Sequence, residues 1–100
     1  MGPSPVRVHL GLLTVDASLP GCHSLKEKRR VLRGLVDKLR HGASMSVAEV
    51  GYQDAHTRTA IAVAFVSAER AEAERVLDGA LRTVESREGL VVNDWWLEWR

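Results

Sequence analysis

A thiol and an imidazole stand side by side at Cys22 and His23, a pairing from which nucleophilic catalysis often starts. Neighbouring loop residues rarely turn toward each other, and no oxyanion hole is recognisable in the surrounding sequence. The nearby start of a basic helix could nevertheless lower the pKa of the thiol. We therefore predict that Cys22 is at most a reactive thiol and not a catalytic nucleophile. As the only cysteine, it can form neither an internal disulfide nor a thiolate metal cluster.

A polar loop provides the second group of candidate side chains, Gln53, Asp54 and His56. They could act as a catalytic loop or as metal ligands, whereas an aspartate in such a loop commonly caps the turn through its own backbone. The histidines of the chain lie on four different predicted elements, with no pair at metal-ligand spacing: His9, His23, His41 and His56. The sequence thus predicts no metal, no cofactor and no enzymatic activity.

Positive charge is concentrated in residues 24–41, where seven cations stand against two anions, a local balance of +5. The rest of the chain carries −4, although the net charge is only +1. At spacings of three and four residues, a cationic ridge is formed by Lys26, Arg30, Arg33 and Arg40 or His41. Such a ridge could bind the phosphates of a nucleic acid, or it could be a solvated helix face or a docking site for an acidic protein.

This basic segment is predicted to be a helix over residues 24–41. Ser24 and Glu27 have the spacing of a reciprocal capping box, and His41 with Gly42 supplies stop signals. Lys28 and Arg29 fill the turn where the apolar stripe of the helix is interrupted. The stripe consists of Leu25, Leu32, Leu35, Val36 and Leu39.

Period-two alternation predicts strands on both sides of the helix. The first strand begins at Val6, and apolar residues at every second position, including Val8, lie on one of its faces. Leu13 and Val15 lie on the other face, so both faces carry apolar residues. Later strands are predicted over residues 45–52, 57–67 and 90–99. A second helix carries an apolar stripe within residues 73–84, with Ser67 as its N-cap.

The resulting order, βαββαβ, predicts a ferredoxin-like α+β fold, in which both helices cover one face of a four-stranded antiparallel sheet. The right-handed crossover rule makes the first and third strands central neighbours. The sheet face without helices is expected to carry small residues and one tryptophan: Ala60, Ala62, Ala64, Trp96, Gly11 and His9. Such a patch favours burial in a homodimer interface, with stacking of a base on Trp96 as the alternative.

Two function classes that share this topology are disfavoured. Acylphosphatases use an arginine in the loop after the first strand together with an asparagine, whereas loop 17–23 has no arginine and the only asparagine is Asn93. RNA-recognition motifs stack bases on aromatic residues of the central strands, where this chain has alanines. These exclusions leave RNA binding through the basic helix as the prediction from the residues. The alternative is a homo-oligomeric module that docks an acidic protein.

The length of 100 residues and 45% hydrophobic residues predict a single domain over residues 6–100, preceded by a flexible tail over residues 1–5. The longest apolar run, residues 60–66, is far shorter than the roughly 20 residues of a membrane-spanning helix. The first residues lack the apolar region of a secretory signal. We therefore expect a cytoplasmic location and no membrane contact.

Three short segments resemble a known family. Ser24-Leu25-Lys26-Glu27-Lys28-Arg29 is followed by Val47-Ala48-Glu49-Val50 and then by Gln53-Asp54. At this spacing they resemble the YlxP-like family of small bacterial domains of unknown function, over roughly residues 6–97. The resemblance implies a ferredoxin-like fold. It also implies a role near RNA, because such proteins are often encoded beside transcription-elongation and translation-initiation factors and a ribosome-maturation protein. Together with the basic helix, this implication leads us to predict an RNA- or ribosome-associated accessory factor. The resemblance supplies no catalytic residue, and the tryptophans near the C-terminus are more numerous than we expect of relatives.

Overall fold

The computed structural model describes residues 5–100, which contain four strands and two helices. Their order is β1 (His9–Ser18), α1 (Leu25–Gly42), β2 (Ser46–Gly51), β3 (Arg58–Ser67), α2 (Arg70–Glu85) and β4 (Val91–Trp99). The predicted order βαββαβ is therefore confirmed. Of the predicted tail, residues 1–4 lie outside the described part of the chain.

The four strands form one antiparallel sheet in the order β2-β3-β1-β4. β1 and β3 occupy the centre, as the crossover rule predicts, and the fold is the ferredoxin-like α+β arrangement. One face of the sheet packs on the two helices. The main core side chains of that layer are Leu13, Val15, Val47, Ile61, Val63, Leu35, Leu39, Leu77, Leu81 and Val84. Neither α1 nor α2 is long and apolar enough to cross a bilayer.

α1 begins where the sequence places its cap. The Ser24 hydroxyl accepts a hydrogen bond from the Glu27 backbone N–H at 3.1 Å. The Glu27 carboxylate reaches back to the His23 N–H at 2.6 Å, one residue before the donor of a reciprocal capping box. Both caps hold the first turn of α1, which is the turn that carries the first cations of the helix.

The predicted N-cap of α2 is wrong. Ser67 is still part of β3, where it pairs with His9 of β1, so the chain needs two further residues before the helix can start. Glu69 takes the N-cap position without a side-chain bond. The Ser67 hydroxyl instead accepts from the Glu69 N–H at 3.0 Å and donates to the Glu72 carboxylate at 2.7 Å.

The predicted placement of His9 and Gly11 beside the alanines is also wrong. Gly11 pairs with Phe65 and His9 with Ser67, on the face covered by the helices. Gly11 lies so close beneath α2 that a Cβ there would collide with the Leu77 side chain. Because β1 has apolar residues at both parities, alternation alone does not choose which face meets the helices.

Candidate nucleic-acid interface

α1 presents four cations around one open depression on its outer side. Lys26, Arg29, Arg30 and Arg33 line this depression, which has a volume of about 190 Å³, and all four residues are exposed. They converge because side chains three and four residues apart adjoin on a helix surface. We call these four residues the basic cluster.

No ion pair within residues 5–100 neutralises the basic cluster. On α2, by contrast, Arg70 and Arg82 each pair with a carboxylate one turn along, Glu74 and Asp78 respectively. Like charges at such spacings repel by about 0.2–0.5 kcal/mol per pair. α2 thus neutralises Arg70 and Arg82 locally, whereas α1 leaves its cluster available to an external anion.

The structure brings together three of the five residues predicted to contact nucleic acid. Lys26, Arg30 and Arg33 belong to the basic cluster, and Arg29 joins them from the next position around the helix. Arg40 instead donates to the Val47 carbonyl at 3.4 Å, which directs it toward β2. His41 is exposed in the last turn of α1, away from the depression.

Lys28 differs from its neighbours on α1 because it is buried, with 2% of its side chain exposed. Its ammonium group donates to the carbonyls of Tyr52 and Ala55 at 2.7 and 2.6 Å and lies 2.8 Å from a Glu49 carboxylate oxygen. The Thr59 hydroxyl donates to the same oxygen at 2.6 Å. All three ammonium donors are thus used, and α1 is fastened to the β2–β3 hairpin.

Sequence reasoning treated Lys28 as a gap in the apolar stripe. Its spacing carries the signal that was missed, since it stands three residues after Leu25 and four before Leu32, in line with the buried side of α1. The hairpin adapts to it: Tyr52, with φ of 55°, adopts the left-handed conformation that aims its carbonyl at the ammonium group.

The remaining candidate chemistry is weakened by its surroundings. Cys22 is 7% exposed, and burial, reinforced by Glu27, raises the pKa of its thiol, with Lys28 opposing the shift. This is opposite to the lowering that the basic helix start suggests, so the nucleophilic thiolate is disfavoured.

In the polar loop, Gln53 donates to the Glu49 carbonyl at 3.2 Å. No group of three His, Cys, Asp or Glu side chains in the described chain has the arrangement of a metal site.

The sheet face opposite the helices, which we call the open face, carries all four predicted interface residues: Ala60, Ala62, Ala64 and Trp96. Ala48, Ala62, Thr14 and Trp96 form one row across the four strands. Small side chains at the β2 end leave a trough of about 160 Å³ lined by Leu12, Ser46, Val47, Ala48, Ala62 and Ala64. At the β4 end of the row, Trp96 is 44% exposed. Ala60 is largely buried, so it offers little surface to a partner.

The sheet order, the two helices on one face and the basic α1 define a small ferredoxin-like domain. The profile of the family described as protein of unknown function (DUF503) matches residues 10–95. The chain belongs to this family, and the YlxP-like resemblance is confirmed. The uncharacterized protein YlxP of Bacillus subtilis (strain 168) is 32% identical over 77 residues, which are 77% of this chain and 84% of that protein.

Two solved structures resemble this chain in fold. The de novo designed protein Foldit4 matches with a TM-score of 0.50 at 13% identity, covering 92% of this chain and 93% of its own. A dimeric ferredoxin-like protein from an uncultured marine organism matches with a TM-score of 0.47 at 13% identity, covering 93% of this chain and 85% of its own. At 13% identity, the similarity to Foldit4 concerns the fold alone.

Proposed function

We propose that this chain is a non-enzymatic accessory factor that binds the phosphate backbone of structured RNA, including ribosome-associated RNA, and acts as a homodimer. The observation that carries the RNA proposal is the basic cluster: four exposed cations around one depression, without an ion-pair partner in the described residues. A polyanion would convert their mutual repulsion into attraction and release the counterions of its own backbone.

The composition of the cluster favours phosphates over bases. Three of its four members are arginines, whose planar guanidinium groups bind a phosphate through two parallel hydrogen bonds. Among residues 5–100, no aromatic side chain lines the depression, so the cluster has no platform there on which a base could stack. Contacts with backbone phosphates suit the double-stranded parts of RNA, which proteins recognise mainly by shape.

The test is a salt titration of binding to a structured RNA hairpin. Four phosphate contacts imply that log K falls with log salt at a slope of about −3. Alanine at Arg29, Arg30 or Arg33 should reduce the slope by about 0.7–0.9 each while leaving the fold intact, because these side chains point away from the core. Asp37→Lys, which adds a cation on the outer side of α1, should make it steeper.

The matched control is α2. Alanine at Arg70 or Arg82, each already paired with a carboxylate, should change the slope little. Equal losses from both helices would show attraction to net charge alone. Absence of binding at about 50 mM salt would leave docking of an acidic protein on the basic cluster as the better account.

The homodimer part of the proposal rests on the open face. Four strands about 4.8 Å apart and up to ten residues long, at about 3.4 Å per residue, give a face of about 600 Å². Two such faces together bury about 1,200 Å², the lower end of specific interfaces. Exposed apolar side chains occupy this face, including Leu10, Val66 and Trp96. A second copy of the chain is the occupant that both the area and the apolar character fit.

The row across the sheet specifies how the second copy would pack. A two-fold axis between stacked sheets, parallel to the central strands, places β4 of one copy over β2 of the other. Trp96 then lies over the trough beside Ala48 and Ala62 of the partner copy, because these residues share one row. The protruding ring and the trough of small side chains are complementary in shape, and the two-fold axis uses each pair twice.

A further inference from the structure

Arg87 lies in the turn between α2 and β4, and its guanidinium group packs against α1. A Cβ atom on Gly34 would lie 3.0 Å from Arg87 Cζ and 3.4 Å from Nη1, so the guanidinium fills the space that a side chain at position 34 would need. The turn holds Arg87 in place, since its N–H donates to the Val84 carbonyl and its carbonyl accepts from the Leu90 N–H, both at 3.2 Å.

The contact with Gly34 puts this guanidinium beside the basic cluster. Gly34 stands four residues after Arg30, and residues at that spacing adjoin on a helix surface. Arg87 is 53 positions away from Gly34 in sequence, so only the packing of the α2–β4 turn against α1 brings the two together.

The charge of Arg87 has no counter-ion within residues 5–100. The carboxylates nearest to it along the chain or along α1 are Glu85, Glu88 and Asp37, and none of them forms an ion pair with it. Its Nε atom is buried and has no hydrogen-bond partner among the described residues. Because Nε is enclosed by protein, an anion from solvent can reach only the terminal guanidinium nitrogens.

We propose that Arg87 is a fifth phosphate ligand, which Gly34 seats beside Arg30. The anion-binding surface is then built from α1 and the α2–β4 turn together. The terminal guanidinium nitrogens of Arg87 bind one phosphate of an RNA backbone. This inference rests on the proposed RNA-binding function. Glycine at position 34 serves to let the guanidinium approach the helix backbone.

The experiment compares three variants in the RNA hairpin titration. Arg87→Ala removes the ligand and should reduce the salt slope by about 0.7–0.9. Gly34→Ala keeps every charge but displaces the guanidinium, and should weaken binding at unchanged net charge. Because alanine favours helix over glycine, that weakening cannot be ascribed to loss of α1, which circular dichroism checks. Arg82→Ala is the control, since it removes the same charge from the end of α2.

The outcomes separate this inference from the function on which it rests. If the wild-type chain does not bind the hairpin, the proposed RNA-binding function fails. If the wild type binds the hairpin and Arg87→Ala retains the wild-type slope, Arg87 is not a ligand. The proposed placement of the Arg87 guanidinium is also contradicted if Gly34→Ala binds the hairpin as tightly as the wild type. It is equally contradicted if Arg82→Ala reduces the salt slope as much as Arg87→Ala does.

Discussion

The buried ammonium group of Lys28 donates to three acceptors at once. Three acceptors converge on a charge that water does not reach, and two of them are backbone carbonyls of a hairpin turn. Such an arrangement is stabilising only while it is complete, because losing one partner of a buried ion pair leaves the other uncompensated. Lys28 thus has a structural role, although it belongs to the most basic stretch of the sequence.

Lys28→Met should destabilise the protein by about 3 kcal/mol, the lower end of the cost of breaking a buried ion pair. The lower end applies because the Glu49 carboxylate is 24% exposed and water can partly replace the ammonium group. Urea unfolding followed by circular dichroism measures the change. The control is Lys26→Met on the exposed side of α1, which should stay within about 0.5 kcal/mol of the wild type. Equal stability of the two variants would show that the three contacts of Lys28 contribute nothing net.

At the scale of elements, side-chain contacts tie β1, β3 and β4 together at the point where the register between β1 and β4 shifts. Between Asp16 and Ala17 the pairing of β1 with β4 slips by one residue, which leaves Asn93 beside Asp16 and Ser18. Arg58 of β3 donates two hydrogen bonds of 3.0 Å to the Asp16 carboxylate. The same guanidinium lies 4.6 Å over the Tyr52 ring and so reaches the β2–β3 hairpin.

The contact between Arg58 and Asp16 should make the free energy of unfolding depend on pH in the acid range. Hydrogen bonds from Arg58 lower the pKa of Asp16 below its usual 3.8, so the folded state holds the proton less tightly than the unfolded state. The contribution is complete above pH 3.8 and is lost as the pH falls through the lowered folded-state pKa. Asp16→Asn should therefore have a lower urea midpoint than the wild type at neutral pH, and the gap should close in acid. A gap of unchanged size at pH 2, about two units below the usual aspartate pKa, would assign the effect to packing instead. Asp78→Asn, at an exposed pair on α2, is the control.

For the whole molecule, the open face decides how copies of the chain meet. Two neighbouring tryptophans of β4 point to opposite sides of the sheet with similar exposure, 47% for Trp95 and 44% for Trp96. Trp95 pairs with Val15 on the helix-covered face, whereas Trp96 pairs with Thr14 on the open face. This makes them a matched pair of positions for testing the proposed homodimer.

Trp96→Ala should shift the dimer to monomer without unfolding it, because the substitution removes the ring that fills the partner's trough. Trp95→Ala should leave the association unchanged. Sedimentation velocity at micromolar concentration measures both, with circular dichroism as the check on folding. A wild-type chain that stays monomeric at its highest soluble concentration contradicts the proposal. A Trp96→Ala chain that fails to fold would make Trp96 a core residue, and a charge at Ala62 then tests the same face.

The order and type of the elements could be predicted from the sequence, because they depend on local chemistry. Ser24 caps α1, the leucine spacing fixes its buried side, and βαββαβ admits one right-handed arrangement of the sheet. The excess of cations on α1 is likewise a property of the sequence. Which of them cluster follows partly from helical spacing, since Lys26, Arg30 and Arg33 were expected together and lie together.

The remaining features depended on contacts between residues far apart in the chain. Lys28 is buried because Glu49 and the hairpin carbonyls are close enough to accept from it, and a charge without those partners would turn to water. His9 and Gly11 face the helices because α2 packs over Gly11, a choice that the two apolar parities of β1 left open. Arg87 reaches α1 only through the turn after α2. Spacing along the chain sets which side of an element a residue occupies. Tertiary packing decides which other element meets that side, and therefore whether a charged side chain on it is buried and paired or stays exposed.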